Sequence, residues 1–240
     1  MRVGVIGLGR IGLYHARILR AHPEVDSLAV VDVDPERMRA AAEELQAEPA
    51  ASVDELLDRA DAIVIATSTD THAELIHAGV DARLPVFCEK PIALDLPSTT
   101  AVVEHVRAAG AVVQIGFQRR FDAGYRAARR LVSTGALGRV YVVRSAGHDP
   151  YPPHESYLPG SGGMFRDMHI HDFDIVRWVL GQDIVEVYAE GAVLADPMFA
   201  RHDDVDTVAA TLTFADGSLG VMTGARHDPL GCDVRLEIFG

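Results

Sequence analysis

RVGVIGLGRIG (Arg2–Gly12) and VVD (Val30–Asp32) decide the fold of the first half of the chain. Val3–Gly7 is a short apolar run without charge, the pattern of a strand covered on both faces. GLGRIG at Gly7–Gly12 follows it directly with the spacing G-x-G-x-x-G. Gly7 permits a tight turn, Gly9 lets a phosphate approach the backbone, and Gly12 lets the following helix lie close on the strand. On its own that glycine pattern is weak evidence. Here a strand precedes it, a helix follows it, and Asp32 ends the next apolar run twenty residues past Gly12. The combination predicts the opening strand–helix–strand of a dinucleotide-binding α/β domain.

The cradle comprises Gly7, Leu8, Gly9, Arg10, Ile11 and Gly12, whose backbone N–H groups and helix dipole favour a pyrophosphate. A carboxylate at Asp32 can accept both ribose hydroxyls of NAD and repels a 2′-phosphate, so NAD is expected over NADP. A plain helix-capping role for Asp32 is the alternative. Arg37 stays open between accommodating a 2′-phosphate and stacking on adenine.

Working outward, Leu28–Val33, Ala62–Ala66, Pro85–Cys88 and Val112–Gly116 read as further buried strands, with helix-like stretches between them at Pro35–Gln46 and Ser98–Ala109. That alternation predicts a parallel sheet with right-handed crossovers through residue 118. From Arg119 the texture changes. A helix at Ala123–Ser133 leads to a strand at Arg139–Ala146 and the loop HDPYPPHESYLPGSGG. A helix over Phe165–Leu180 follows, then strands at Ile184–Leu194, Thr207–Phe214, Ser218–Arg226 and Cys232–Phe239. Asp216-Gly217 marks a hairpin turn. The expectation is a Rossmann domain over 1–118 and a second α+β domain over 119–240, built on an open, largely antiparallel sheet.

Of 240 residues 48% are hydrophobic and 24% charged, so a core can form without covalent staples. With 22 Lys+Arg against 35 Asp+Glu the net charge is −13, which disfavours a nucleic-acid partner. No apolar run has membrane-span length, and the glycine fingerprint lies too near Met1 for a cleavable leader. Cys88 and Cys232 are the only cysteines, and a reducing cytoplasm is the expected compartment.

Chemistry-bearing residues gather at the carboxyl ends of the parallel strands, where open α/β sheets bind ligands. ATSTDTH places Thr67, Ser68 and Thr69 there, with His72 in the first turn of the next helix; ordinary turn and cap roles are the alternative. EKPIAL (Glu89–Leu94) puts Lys90 just past a strand, before a proline that keeps it out of a helix. Lysine beside a nicotinamide can polarise a hydroxyl or carry its proton; a surface Glu-Lys pair is the bland reading. In SGGMFRDMHIHDFDIVRW, Asp167 and His171 are i, i+4 neighbours on a helix, where a carboxylate can orient an imidazole that exchanges protons near neutral pH. A metal site from His169, His171 and Asp172 needs that segment extended, because residues two apart diverge on a helix. No metal is therefore expected.

These segments, with QIGFQRRFD, HDPYPP and RLEIFG, resemble the Gfo/Idh/MocA oxidoreductases, and most closely their inositol 2-dehydrogenase-like branch. The resemblance implies a catalytic trio in which His171 accepts the proton, Asp167 orients it and Lys90 binds the substrate hydroxyl. It implies Arg119 and His148 as substrate contacts and Glu89 and Gln118 beside the cofactor, with a polyol or sugar as substrate. It further implies that the second-domain sheet mediates a homo-oligomer. Two departures stand out. Family members usually continue beyond RLEIFG, so a C-terminally shortened sheet with a missing edge or lid is expected, less stable or more prone to associate. Inositol-type members carry tyrosines in a YGYD-like stretch where this chain has LGCD at Leu230–Asp233. The rivals are another sugar or aldose dehydrogenase of the same family, and a silent NAD-binding regulatory protein.

Overall fold

The computed structural model describes residues 1–240, which form two compact units, Met1–Gly116 and Phe117–Gly240. The first unit runs β1 (Arg2–Ile6), α1 (Arg10–Ala21), β2 (Ser27–Val31), α2 (Pro35–Leu45), β3 (Glu48–Pro49), α3 (Val53–Leu57) and β4 (Ala62–Ile65). It continues through α4 (His72–Asp81), β5 (Val86–Cys88), α5 (Leu96–Ala109) and β6 (Val113–Ile115). All strands pair in parallel in the order β3-β2-β1-β4-β5-β6, the doubly wound Rossmann order.

The central strands β1, β2 and β4 are nearly apolar throughout because both faces are covered. Val3, Val5 and Val30 pack on one side, and Ile63, Ile65 and Ile76 on the other. Helix ends follow local chemistry. Asp34 accepts from the Glu36 and Arg37 N–H groups ahead of Pro35, Asp95 accepts from Ser98 N–H, and Gly110 closes α5 in the left-handed conformation. The one strand absent from the sequence reading is β3. Two residues are too few for a period to register, and its Pro49 is tolerated only because the strand is an edge.

The second unit contains α6 (Ala123–Ser133), β7 (Val142–His148), α7 (Leu158–Ser161), a π-helical turn (Met164–Met168), α8 (Ile170–Leu180), β8 (Ile184–Ala192), α9 (Met198–Arg201), β9 (Thr207–Phe214), β10 (Leu219–Ala225) and β11 (Asp233–Phe239). Its sheet order is β11-β7-β10-β9-β8. Three pairs are antiparallel, and β7–β10 is parallel, with α7, α8, β8, α9 and β9 lying between them in the chain. Along β9 and β10 burial alternates, so one face meets Ile175, Val176 and Val179 of α8 while the other stays open.

Two expectations are corrected. The helix over Phe165–Leu180 is two elements, a π turn and then α8 from Ile170; 3.6-residue periodicity cannot register one widened turn. The strand at Arg139–Ala146 lies over Val142–His148, because pairing to β10 carries it on to His148 opposite Ala225.

Candidate active site

At the glycine loop the local geometry is restrictive. Gly7 has φ +88°, and a Cβ on Gly12 would lie 1.9 Å from the Gly7 carbonyl oxygen. A Cβ on Gly9 would meet nothing within 4 Å. Behind Gly9, α1 begins at Arg10 and Ile11 with no side chain capping its first turn. Uncapped N–H groups beside an open glycine fit a pyrophosphate. Leu8 differs from its companions in the cradle. Its side chain is buried, and its N–H donates to Asp32 Oδ2 at 2.6 Å.

Asp32 is thus tied to the loop it serves. Its other oxygen accepts from Asp34 N–H at 2.8 Å, and Arg37 Nη1 lies 3.3 Å away. Arg37 Nη1 also lies 3.5 Å from Oδ2, so each carboxylate oxygen has two partners, and a ribose hydroxyl would take the place of the long Arg37 contacts. Arg37 is shared between Asp32 and Asp34.

After β4, Thr67 Oγ1 and Thr71 Oγ1 are 2.7 Å apart, Ser68 precedes a short 3-10 turn at Thr69–Thr71 without a side-chain cap, and Thr69 is buried. His72 departs from the sequence reading as a cofactor contact. It is 1% exposed, with Nδ1 2.7 Å from the Pro91 carbonyl oxygen and Nε2 3.3 Å from that of Thr67. It pins the turn that carries Lys90, whose bond to Pro91 is cis. Glu89, next to Lys90, is 2.7 Å from His15 Nε2 of α1. Burial pushes its carboxyl up, but the His15 hydrogen bond and charge, with Lys90, bring it below its ordinary value.

In the second unit Asp167 lies in the π turn, almost fully buried. Oδ1 accepts from Tyr157 Oη at 2.8 Å and Oδ2 from Arg226 Nη2 at 2.9 Å. His171 stands in the first turn of α8, its ring edge-on to Phe117 with centroids 6.5 Å apart. Beside it lies a buried network. Asp172 accepts from Arg119 Nη1 and Ser145 Oγ at 2.6 Å each, and from His169 Nδ1 at 3.0 Å. Adjacent glycines on β7 and β10 make the room. A Cβ on Gly147 would come within 2.9 Å of Asp172, and one on Gly224 within 1.9 Å of His169 Nε2. Burial pushes the Asp172 carboxyl up, yet the His169 bond, the Arg119 charge and Ser145 outweigh it and hold it at about 2.

The sequence-expected contacts therefore divide. Arg119 is committed to Asp172, and Gln118 opens the 3-10 turn that carries it. His148, at the end of β7, lies 3.3 Å from both Asp228 and Thr223 Oγ1. Of the residues of the rival metal trio, His169 and Asp172 are bonded to each other, and His171 precedes Asp172 in α8. A different group, His148, Asp228 and Asp233, has potential ligand atoms within 4.8 Å of one another, but Asp228 already accepts from Leu230 N–H and Asp233 from Arg235. Arg226 and Tyr157 escaped the sequence reading. No local spacing links either to Asp167, and only β10 and the Pro-rich loop bring them there.

The sequence pattern of the oxidoreductase family with an NAD-binding Rossmann fold matches residues 1–117, and that of the GFO/IDH/MocA C-terminal domain matches residues 125–240. The chain belongs to the Gfo/Idh/MocA oxidoreductase family. Among family members it is 40% identical to myo-inositol 2-dehydrogenase of Thermotoga maritima, over 100% of this chain and 73% of that relative. It is 43% identical to a myo-inositol dehydrogenase of Streptomyces leeuwenhoekii, over 100% of this chain and 74% of the relative. The crystal structure of scyllo-inositol dehydrogenase from Lactobacillus casei, with bound NAD(H) and scyllo-inositol, superposes with a TM-score of 0.92 at 31% identity, covering 100% of this chain and 74% of that one. No helix is long and apolar enough to cross a membrane, and both cysteines are free.

Proposed function

We propose that this Gfo/Idh/MocA family member is an NAD-dependent dehydrogenase that oxidises a secondary hydroxyl of an inositol-type polyol to a ketone. The observation that carries the reading is similarity along all of this chain to inositol dehydrogenases, of which it spans about three quarters, joined to the presence of Lys90, Asp167 and His171. A protein that only sensed the nucleotide would need the glycine loop and Asp32 but none of these three.

NAD+, when bound, supplies the hydride acceptor; Gly9, Arg10 and Ile11 would hold its pyrophosphate and Asp32 its ribose. His171 takes the hydroxyl proton on Nε2, the ring nitrogen opposite its buried Nδ1. Lys90 stabilises the developing alkoxide through its ammonium. Asp167 is the carboxylate that favours the imidazolium. Arg119 holds Asp172 through Nη1 and turns its remaining donors, with His148, to substrate hydroxyls, and Gln118, Glu89 and Thr67–Thr69 flank the nicotinamide end. The second-unit sheet joins copies of the chain, and the two free cysteines accord with a reducing cytoplasm.

A second reading, a different polyol or an aldose, draws on the Asp228–Asp233 loop. Leu230 is 97% exposed and Cys232 is exposed, in the stretch where inositol-type members carry tyrosines. NADH formation across myo-, scyllo- and chiro-inositol, aldoses and sugar acids tests both. Turnover confined to inositols supports the first reading, turnover confined to aldoses the second, and none with any of them overturns both.

A further inference from the structure

Arg226 is the least expected charge in the second unit. It follows β10, its side chain is 4% exposed, and its Nε has no hydrogen-bond partner. Its guanidinium spans two carboxylates, with Nη2 2.9 Å from Asp167 Oδ2 and Nη1 3.6 Å from Asp149 Oδ2. Asp149 and Arg226 follow the parallel neighbours β7 and β10, and backbone bonds from Asp149 N–H to Ala225 O and from Arg226 N–H to Asp206 O fix both. Burying a guanidinium is costly, and packing alone is served as well by an apolar side chain of that volume. The fold therefore offers no stability reason for an arginine here.

Asp167 supplies one. It sits in a π turn, where the α-helical ladder is interrupted and does not by itself fix the side chain's direction. Tyr157 holds one oxygen and Arg226 the other. Asp204 braces the same turn by accepting from Met164 N–H at 2.9 Å. His171 lies four residues on from Asp167.

We propose that Arg226 is a positioning residue for Asp167 and His171, its buried guanidinium holding Asp167 ionised and in one orientation. This rests on the dehydrogenase reading given above. The charged and titratable groups in this neighbourhood are Tyr157 from the loop, Asp149 after β7, Asp204 before β9, Arg226 after β10, and the His169–Asp172–Arg119 network of α8. Removing Arg226 deletes one positive charge beside Asp167. The imidazolium of His171 then becomes easier to form, and Asp167 itself harder to ionise. Both effects move the acidic limb of the rate profile to higher pH.

The test compares the full chain with Arg226→Gln and Arg226→Lys. For Arg226→Gln, kcat is expected to fall about tenfold or more, with NAD affinity unchanged and the acidic limb of kcat/KM raised by about half a pH unit or more. Arg226→Lys, which keeps the charge but cannot span both carboxylates, is expected to return the limb to its parental position with kcat still reduced. A fall in kcat with the limb unmoved in Arg226→Gln overturns the proposal, as does parental behaviour. Should Arg226→Gln not fold, Arg226→Lys decides: a reduced kcat with parental NAD affinity supports the assignment, and a parental kcat overturns it. Should the parent oxidise no polyol, the dehydrogenase reading fails separately. Proton NMR titration of the His171 imidazole, assigned with His171→Ala, then tests Arg226 alone. A higher imidazole pKa in Arg226→Gln than in the parent supports the proposal; identical titrations overturn it.

Discussion

Asp172 has no exposed surface and accepts three hydrogen bonds, so its charge is part of the fold. Its folded pKa of about 2 lies below the ordinary 3.8. The carboxylate therefore stabilises fully above the ordinary value, and that contribution is lost as pH falls through the folded one. The shift corresponds to about 2 kcal/mol. Asp172→Asn leaves Arg119 facing a neutral amide in a buried site. It is expected to lower stability by about 3–5 kcal/mol near neutral pH and less at about pH 2. Urea melts at the two pH values check this, and an equal loss at both refutes it. His171 carries a different kind of prediction. In His171→Ala, kcat/KM is expected to fall about a hundredfold or more with NAD affinity unchanged, and Asp167→Asn should be milder because an amide still accepts a hydrogen bond. NADH formation at the parental rate in His171→Ala, with none in Lys90→Ala, would return proton transfer to Lys90. The sequence singled out Asp167 and His171 by a local i, i+4 spacing on one helix, whereas Asp167 stands in the π turn and His171 in α8. Asp172 was visible in the sequence only as part of a rejected metal trio, since its partner Arg119 is 53 positions away.

Longer elements with capped ends were legible, as with α2 behind Asp34 and α6 behind Asp122, while the five-residue α3 was not, although Ser52 caps it. The π turn and β3 were not, because each is a local departure that only tertiary contacts stabilise. The β1–α1 junction was readable in the strongest sense, since its glycine spacing states a steric requirement. Gly12→Ala is expected to drive the new methyl into the Gly7 carbonyl, where a Cβ would lie at 1.9 Å. Backbone cannot yield as a flexible side chain can, so α1 should shift at a cost of about 1–3 kcal/mol. NAD affinity should fall with it. Gly9→Ala is the matched control, because a Cβ there meets nothing within 4 Å. Its melting temperature should equal the parent's, and any loss of NAD binding, measured by cofactor fluorescence, then reports on ligand approach alone. Equal destabilisation by the two substitutions would show that steric packing against Gly7 is not what Gly12 provides.

At the scale of the whole molecule the open face of the second-unit sheet carries the expectation of self-association. One row across it reads Tyr188, Thr211, Val221, Arg144 and Glu237 in register from β8 to β11, and the next brings Leu219 beside Thr213. Tyr188 is 64% exposed and Leu219 51%, while Arg144 and Glu237 form an ion pair on the same face. Apolar rows flanked by paired charges are what a self-complementary interface requires, because a two-fold axis lays the same patch on itself. Helix α8 covers the opposite face. Leu219→Glu with Val221→Glu adds two like charges per copy at the centre of such a contact. Both side chains are exposed in the single chain, so the melting of the isolated fold should change by no more than about 0.5 kcal/mol. Light scattering coupled to size exclusion is expected to show the parent as an oligomer and the double variant as a monomer. A parent that stays monomeric over a wide concentration range would remove the sheet from the assembly altogether. An oligomer unaffected by the two glutamates would instead move the interface to the edge strands β8 and β11, whose unpaired N–H and C=O groups offer another route to pairing.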